Sequence, residues 1–342
     1  MNISKNVSLK NYSTMKLGGN ASYVVEIENK DDLVQAFDFA KTNNLKTIAV
    51  GTGSNLVWRD EGFDGLILVC KTKRYDVFRE DDTNFYITVG SGEIWDDIVA
   101  RTTSINLSGI EQLSLIPGTA GAAPVQNVGA YGQELSNVLV SVEVFDQKIG
   151  ELVNIRSSEC GFGYRTSRFK TTDKGRFFIT NIVLHLNKSN PQPPYYSALK
   201  QYFEEHKISD ITPTVVRDAV ISIRKSKLPD VSKVANCGSF FTNPIIDGSK
   251  LEILRSSFPA VPYWENGDNK YKISAAWLIE QLNFKDYHDK ETGMATWPTQ
   301  PLVFVNEHAQ STSDLLKFAQ KVSGAVAARF DIQLAQEPEL LP

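Results

Sequence analysis

Short runs in which apolar and polar residues alternate recur along the chain, and this pattern is typical of β-strands that bury one face. The runs are rich in Val, Ile, Phe and Tyr, which fit a pleated, half-buried surface. Strands are therefore predicted at residues 23–27, 47–50, 66–70, 85–89, 138–145, 177–186 and 302–305.

Helices are predicted where apolar residues recur three and four positions apart. The acidic pair Asp31-Asp32 opens the first helix. Its apolar face comprises Leu33, Ala36, Phe37 and Ala40. A helix at 212–225 begins with Thr212-Pro213, since proline suits the first helical turn. Others are predicted at 93–106, 274–282 and 311–330. Many short strands with few helices indicate an α+β fold rather than a doubly wound sheet.

The strand at 47–50 runs into the glycine-containing segment Gly51-Thr52-Gly53-Ser54-Asn55. The order strand, helix, strand imitates one half of a dinucleotide-binding fold. The glycine spacing does not match, because the third glycine of that fingerprint would fall on Leu56. A phosphate loop ending in Gly-Lys-Ser/Thr is also absent, so neither common nucleotide motif describes this segment.

Composition and charge narrow the class of protein. A chain of 342 residues is long enough for two or three domains. The 36 basic and 40 acidic residues nearly balance, which argues against a nucleic-acid-binding protein with a basic face. Cys70, Cys160 and Cys237 are far apart, so they predict neither a disulfide framework nor a paired-cysteine metal site.

Nothing in the chain predicts export or membrane insertion. Residues 1–6 lack the apolar core of a signal peptide. No apolar run approaches the ~18 residues of a membrane-spanning helix. Cytoplasmic location is therefore expected.

The most informative stretch is IPGTAGAAPVQNVGAYG at residues 116–132, which holds four glycines and no charged residue. Small residues let the backbone approach a ligand closely, and a loop of free N–H groups can cradle phosphate. A single glycine-rich loop more commonly forms a tight structural turn than a ligand site. Here two further dense motifs follow it, GFGYRTSRF at 161–169 and NCGSFFTNP at 236–244.

Taken together and in this order, the three motifs resemble the UDP-N-acetylenolpyruvoylglucosamine reductases, in their longer, type I branch. The resemblance runs from about residue 11 to about residue 338. It implies a flavoenzyme with FAD as cofactor and NADPH as reductant. The implied reaction reduces UDP-N-acetylglucosamine enolpyruvate to UDP-N-acetylmuramate for bacterial cell-wall synthesis. The expected form is a monomer without a nucleic-acid partner.

The resemblance also implies a domain organisation. Residues 1–190 are expected to form an FAD-binding region of the vanillyl-alcohol-oxidase / p-cresol methylhydroxylase type, as two α+β subdomains at about 1–70 and 71–190. The run Pro191-Gln192-Pro193-Pro194 signals a linker. The linker, 191–225, would contain a substrate-covering loop and a helix. Residues 226–342 would form an α+β substrate-binding domain whose last residues return to the active site.

Two residues match catalytic positions near the centre of their motifs. Arg165 would polarise the enolpyruvyl carboxylate, because its planar cationic fork suits that group. An ordinary surface ion pair is the alternative for an arginine. Ser239, in Gly-Ser-Phe-Phe, would donate a proton to carbon, and a turn or capping serine is the alternative.

The third catalytic position is a glutamate near the chain end. Spacing after Leu334 selects Glu337 as the residue that the family places there. Glu339 lies two positions further on, and residues two apart in an extended segment share a face. The pattern alone therefore does not separate the two carboxylates.

The resemblance assigns FAD to two loops. The implied cofactor-binding residues are Gly51, Thr52, Gly53, Ser54, Asn55, Pro117, Gly118, Gly121, Ala122, Gln126, Asn127, Gly129, Ala130 and Tyr131. The implied substrate contacts are Tyr164, Tyr196 on the covering loop, Lys227 at the pyrophosphate, Asn243 and Gln300. No metal is required. Trp264 stands where the family pattern predicts tyrosine, so Tyr263 and Trp264 both stay candidates for that contact.

The sequence also bears on three other functions. An oxidase of small alcohols or sugars would share the fold, but Gly-Ser-Phe-Phe and Lys227 argue against it. A sugar-nucleotide-binding protein without flavin is a second alternative, and it would be colourless. A serine hydrolase has no support, since Ser239 lacks a Gly-x-Ser-x-Gly elbow and a neighbouring histidine. Cys237 is expected to be a buried thiol rather than a nucleophile.

Overall fold

The computed structural model describes all 342 residues. Helices α1 to α7 occupy Lys30–Thr42, Trp95–Ser104, Ser197–Glu205, Pro213–Lys227, Gly248–Ser257, Ala275–Glu280 and Thr312–Phe330. Single 3-10 turns lie at Leu9–Tyr12, Glu111–Leu113, Leu135–Asn137 and Ser157–Glu159. None of the helices combines the length and the apolarity that crossing a bilayer requires.

The strands are short and numerous, as the alternating pattern predicts. In chain order, β1 to β20 occupy Ile3–Ser8, Asn20–Ile27, Lys46–Val50, Leu56–Trp58, Phe63–Cys70, Tyr75–Arg79, Asn84–Gly90, Gly129–Ala130, Gln133–Glu134, Leu139–Asp146, Glu151–Arg156, Phe177–Asn187, Asn236–Ser239, Ile245–Asp247, Tyr263–Glu265, Lys270–Ile273, His288–Asp289, Met294–Trp297, Gln300–Asn306 and Glu339–Leu341. Each predicted strand lies within one of these, except that the strand predicted from residue 138 begins at Leu139.

The chain packs into two compact units, each assembled from separate stretches. The first unit comprises Met1–Val7, Ala21–Thr52 and Phe63–Lys225. The second comprises Ser8–Asn20, Gly53–Gly62 and Ser226–Pro342. The domain limits implied by the family resemblance stay a prediction.

One sheet of the first unit has the order β1-β2-β5-β3, and β5 is parallel to both β2 and β3. Helix α1 packs its predicted apolar face on this sheet, with Leu33, Ala36 and Ala40 buried. The helix begins after Asn29, whose side chain accepts a 3.0 Å hydrogen bond from the backbone N–H of Asp32. Spacing and capping therefore specify this helix together.

The larger sheet of the first unit is antiparallel, in the order β11-β10-β12-β7-β6. Helix α2 contributes Trp95, Ile98 and Val99 to the core that this sheet shares with the glycine-rich segment. The indole N–H of Trp95 donates to the carbonyl oxygen of Leu113 at 3.0 Å. This contact fixes the chain immediately before the glycine-rich segment begins.

Helices α3 and α4 form a separate small core in the first unit. Leu199 and Phe203 of α3 pack against Val216 and Val220 of α4. Tyr131, from the glycine-rich segment, packs against the same cluster. The end of the glycine-rich segment is therefore packed against these two helices.

The second unit centres on the antiparallel sheet β13-β19-β18-β17 and on helix α7. Phe240 stacks on Phe304 of β19 at 4.9 Å, and Phe304 contacts Phe318 of α7 at 4.8 Å. Strands β14-β16-β15 form a small sheet, and β20 pairs in parallel with β4. Ser311 and Asp314 form a capping box that begins α7 one residue after the predicted start.

Candidate active site

The glycine-rich segment is a series of tight turns bonded to the rest of the first unit. The N–H of Trp95 donates to the carbonyl of Gly118 at 3.1 Å, and the N–H of Ala120 donates to that of Glu93 at 2.9 Å. All four N–H groups of residues 120–123 have carbonyl partners within the protein. This part of the segment is therefore a fixed platform rather than an open nest of free donors.

Beside this platform, the hydroxyl oxygen of Thr119 is buried and has no hydrogen-bond partner. It faces Gly51, the residue immediately after β3, where a Cβ would stand only 2.6 Å from that oxygen. Buried polar atoms almost always have partners. A bare glycine and an unpartnered hydroxyl fit a ligand rich in polar oxygens, as the phosphates of FAD would be. Gly51 and Thr119 both lie in the first unit, and Gly53, Ser54 and Asn55 lie in the second.

Arg165 lies at the tip of a tight turn closed by two hydrogen bonds between Gly163 and Thr166, at 3.2 and 3.3 Å. Its φ of 54° is in the left-handed region, which is costly for a residue with a Cβ. Its Nη2 donates to the carbonyl of Gly129 at 2.8 Å, and its guanidinium carbon lies 5.5 Å from the ring centre of Tyr164. The turn, the ring and the glycine-rich segment thus hold one cationic group.

Tyr196 immediately precedes α3 and is 42% exposed. Its ring meets Tyr131 edge-on at 5.6 Å, with the two planes at 89°. Burial raises the pKa of Tyr131, and the nearby charge of Arg224 opposes that shift. The predicted covering-loop tyrosine and the predicted cofactor-loop tyrosine are therefore neighbours.

Sequence reasoning missed Arg224 on α4. Its Nε is buried without a hydrogen-bond partner, and burial lowers the pKa of its guanidinium. The charges that influence it belong to Tyr131, Asp96 and Arg165, so it faces the same region as the predicted catalytic arginine. A second cation beside Arg165 suits an anionic ligand.

Asp96, whose charge acts on Arg224, is already paired. Arg217, seven residues before Arg224 on α4, donates from Nη1 and Nη2 to the carboxylate of Asp96 at 2.5 and 3.0 Å. Burial would raise the pKa of Asp96, but the bonds from Arg217 and from the N–H of Leu115 lower it overall. Arg217 and Arg224 are seven residues apart, so they lie on one face of the helix. This spacing is the sequence signal from which Arg224 could have been predicted.

In the second unit, Ser239 ends β13 and pairs with Val303 of β19. The preceding Gly238 has a φ of 76°, and the pairing is irregular at this point. Phe240 and Phe241 on the other side are buried in the core. The serine is therefore held at a kink between a strand and two anchored aromatic residues.

The C-terminal segment places Glu337 beside this kink. The N–H of Glu337 donates to the carbonyl of Phe240 at 2.9 Å, and Gln336 pairs with Phe241. Glu339 instead belongs to β20, where its N–H donates to the carbonyl of Asn55 at 3.0 Å. The two glutamates that the sequence pattern leaves unseparated therefore lie in different surroundings.

Cys237 also lies near Glu337, but it is only 2% exposed. Burial, reinforced by the charge of Glu337, raises the pKa of its thiol. A buried thiol that stays protonated is a poor nucleophile. Such a thiol agrees with the sequence expectation for this residue.

The predicted substrate contacts of the second unit are placed by backbone and side-chain hydrogen bonds at the ends of helices and strands. Lys227 ends α4, and its carbonyl accepts a 2.8 Å bond from the hydroxyl of Thr299, which precedes Gln300. The side-chain oxygen of Asn243 accepts from the N–H of Ala275 at 2.9 Å, at the start of α6. Tyr263 and Trp264 are neighbours on β15, 37% and 43% exposed. No cluster of three His, Cys, Asp or Glu side chains is arranged to hold a metal ion.

Two models of known families match separate parts of the chain. Residues 21–156 match the model of FAD-binding domains. Residues 230–341 match the C-terminal domain of UDP-N-acetylenolpyruvoylglucosamine reductase. The predicted fold class, an α+β FAD-binding domain with a distinct C-terminal α+β domain, is confirmed.

Individual relatives extend over the whole chain. The UDP-N-acetylenolpyruvoylglucosamine reductase of Amoebophilus asiaticus is 35% identical over 340 residues, covering 99% of each chain. That of Alcanivorax borkumensis is 38% identical over 335 residues, covering 98% of this chain and 95% of the relative. The crystal structure of the Thermus caldophilus reductase has a TM-score of 0.69 at 23% identity, with full coverage of both chains, and shares the fold.

The FAD-binding domain, with its glycine-rich platform, and the C-terminal domain define the protein as an FAD-dependent oxidoreductase. The chain belongs to the UDP-N-acetylenolpyruvoylglucosamine reductase family. The resemblance recognised from the three sequence motifs is thereby confirmed.

Proposed function

We propose that the protein reduces the enolpyruvyl ether of UDP-N-acetylglucosamine enolpyruvate with NADPH, giving UDP-N-acetylmuramate for peptidoglycan synthesis. The names of its relatives point to this substrate. The observation that carries the proposal is the pairing of residues 336–337 with 240–241, which brings the backbone of Glu337 next to Phe240, the residue after Ser239. We further propose that the enzyme works in the cytoplasm as a monomer.

The reaction adds one hydride and one proton across a carbon–carbon double bond. When bound, FAD supplies the chemistry that side chains lack, which is acceptance of hydride from NADPH and its delivery to the terminal enolpyruvyl carbon. The electron pair of the double bond moves toward the substrate carboxylate. A proton must then reach the other carbon, and NADP⁺ and the lactyl ether are the products.

Arg165 is proposed to bind the substrate carboxylate through its planar donors. Negative charge grows on that carboxylate as the hydride arrives, so a preorganised cation stabilises the transition state more than the ground state. Its place in a constrained turn favours this role, because a fixed donor need not reorganise during the reaction. Glu337 is proposed to act on the same carboxylate as a hydrogen-bonding partner.

Ser239 is proposed to donate the proton to the carbon that bears the ether oxygen. A hydroxyl is a weak acid, so it needs a fixed position close to the carbon that it protonates. The aromatic residues that follow Ser239 and the bulge before it restrict its movement. The serine regains its proton from solvent after the product has formed.

The remaining proposed roles concern binding. FAD would be held by residues 51–55 and 117–131, where Gly51 and Thr119 already fit a polar ligand. Lys227 would contact the substrate pyrophosphate, and Tyr164, Tyr196, Asn243 and Gln300 would contact other parts of the sugar nucleotide. Arg224 would add positive charge near Arg165.

The experiment that tests this proposal is an NADPH-oxidation assay of the purified yellow protein. Rapid NADPH consumption only when the enolpyruvyl sugar nucleotide is added, with UDP-N-acetylmuramate as product, is the expected result. Consumption that is driven by oxygen and indifferent to the sugar nucleotide would identify an oxidase instead. A colourless protein that binds the sugar nucleotide without turnover would also refute the proposal.

A further inference from the structure

Glu134 lies in the short hairpin β8–β9, close to two groups that hold Arg165. Its carboxylate accepts a 2.8 Å hydrogen bond from Nδ2 of Asn127. The same Nδ2 also donates, at 3.4 Å, to the carbonyl of Gly163, which begins the Arg165 turn. Glu134 is therefore linked to that turn through a single side chain.

Asn127 is well placed to transmit this link. It is 1% exposed, and its side-chain oxygen accepts from the N–H of Ser136 at 3.0 Å. Both ends of its amide are thus bonded within the protein, and its φ of 46° lies in the left-handed region. Because its side chain is fixed in orientation, a change at Glu134 alters the hydrogen bond that Asn127 donates to Gly163.

A second link passes through Gly129. Gly129 pairs with Glu134 across the hairpin, and its carbonyl accepts the 2.8 Å bond from Nη2 of Arg165. A Cβ on Gly129 would lie 3.0 Å from Cγ of Glu134 and 3.1 Å from Nη1 of Arg165. The glutamate stem and the guanidinium therefore pack against the same bare position.

The backbone of Arg165 needs such support. A left-handed conformation is strained for a residue with a Cβ, and it persists only when its surroundings impose it. The hydrogen bonds of the turn, the Gly129 carbonyl and the Asn127 amide are those surroundings. Glu134 contacts two of the three.

We infer that Glu134 is a positioning residue for Arg165, acting through Asn127 on the turn and through Gly129 on the guanidinium. The inference rests on the proposed role of Arg165 in binding the substrate carboxylate. Glu134 itself touches no reacting atom in this account. Its removal should chiefly impair the interactions that Arg165 makes.

The test compares Glu134→Ala with Glu134→Gln and with the control Glu159→Ala. Glu159 caps a 3-10 turn of the same unit, where its carboxylate accepts a 3.0 Å bond from the N–H of Arg156. Loss of Glu134 should slow reoxidation of the reduced flavin by the enolpyruvyl substrate roughly 10–100-fold, since small misplacements carry large kinetic penalties. Flavin reduction by NADPH should not change. Glutamine keeps an acceptor for Asn127 and should restore most of the rate.

A double-mutant cycle with Arg165→Lys separates positioning from general structural damage. If Glu134 acts through Arg165, adding Glu134→Ala to the Arg165→Lys variant should cost little further rate. Additive losses would overturn the inference, as would a wild-type rate for Glu134→Ala. If the alanine variant does not fold, Glu134→Asp, which keeps the charge but shortens the reach to Asn127, takes its place with the same expectations.

Binding measurements distinguish failure of this inference from failure of the proposed function. UDP-N-acetylmuramate carries the carboxylate that UDP-N-acetylglucosamine lacks, so the ratio of their Kd values reports carboxylate recognition. The wild type and Glu159→Ala should prefer the former, and Glu134→Ala should lose much of that preference. Equal affinities in the wild type would refute the role of Arg165. A preference that Glu134→Ala fully retains would refute the role of Glu134.

Discussion

The backbone N–H of Glu337 donates a 2.9 Å hydrogen bond to the carbonyl of Phe240, the residue that follows Ser239. Glu339, two residues on, bonds instead to Asn55 and forms part of β20. We therefore expect Glu337→Gln to slow the substrate half-reaction severely, and Glu339→Gln to be nearly silent. Stopped-flow traces of both variants, each still yellow and folded, provide the comparison. A crippled Glu339 variant would move the catalytic role to that residue.

Ser239→Ala should leave reduction of the flavin by NADPH intact. The half-reaction with the enolpyruvyl substrate should slow ~10²–10⁴-fold, the usual contribution of a positioned general acid. Anaerobic stopped-flow measurement separates the two steps. Reoxidation of the alanine variant at the wild-type rate would remove Ser239 from the mechanism.

Lys227→Ala should raise KM for the sugar nucleotide more than it lowers kcat. The pyrophosphate lies away from the reacting carbons, so its contact has similar strength in the ground state and in the transition state, and such uniform binding appears in KM. Steady-state kinetics at saturating NADPH measure both constants. An unchanged KM would contradict the assignment of this exposed lysine at the end of α4.

Arg224→Met should weaken binding of the anionic substrate without destabilising the fold. Its buried Nε has no partner, and replacing a poorly compensated buried charge with an apolar side chain is often neutral or stabilising. Arg217→Met is the matched control on the same helix face, since it removes both arginine hydrogen bonds from the Asp96 carboxylate. The control should lower Tm, whereas Arg224→Met should hold or raise it. A large drop in Tm for Arg224→Met would show that this arginine is structural.

Asp146 offers a pH-dependent test of stability in the first unit. Hydrogen bonds from Arg176 lower the pKa of Asp146. Burial of this residue, which is only 2% exposed, acts in the opposite direction but has the smaller effect. A lowered folded-state pKa gives stability that is present above the unfolded value of ~3.9 and lost as pH falls through the folded value. Asp146→Asn should therefore cost roughly 1–2 kcal/mol at neutral pH, because Arg176 is partly exposed and keeps its bond to Asp173.

The measurement for Asp146 is urea unfolding of the wild type and of Asp146→Asn across a range of pH. The difference in unfolding free energy should shrink toward acid, because the wild-type carboxyl becomes protonated there. A difference that stays constant across the range would mean that packing, rather than the charge, accounts for the destabilisation.

Helices with strong local signals could be predicted from the sequence. In α1 and α7, apolar spacing and side-chain caps agree, so the predicted start of each lies within one residue of the observed one. Helices α3 and α5 were missed. Helix α3 has 9 residues and buries only Leu199 and Phe203, which is too short a pattern to separate from a loop after a proline-rich segment.

The pairing of strands that are far apart in the chain could not be predicted from the sequence. Strand β20 is only 3 residues long and pairs with β4, which lies near the other end of the chain. No periodicity encodes that partnership. For the same reason the alternating pattern left Glu337 and Glu339 equivalent, and only the fold gives them different neighbours.

The candidate site was predicted from motifs rather than from chemistry. Arg165 and Ser239 stood out because their surrounding motifs resemble a family, while an isolated arginine or serine has many commoner roles. The sequence does not distinguish Arg224, because this residue begins a basic run at the end of a helix. Such a run usually indicates a solvated surface. The burial of Arg224 and its missing partner are evident only in the folded chain.

The most direct test of the proposed activity is a single turnover under anaerobic conditions. The flavin is first reduced with one equivalent of NADPH, and UDP-N-acetylglucosamine enolpyruvate is then added. The account predicts rapid return of the oxidised flavin spectrum with stoichiometric formation of UDP-N-acetylmuramate. A flavin that stays reduced with the sugar nucleotide and is reoxidised only when oxygen is admitted would contradict it.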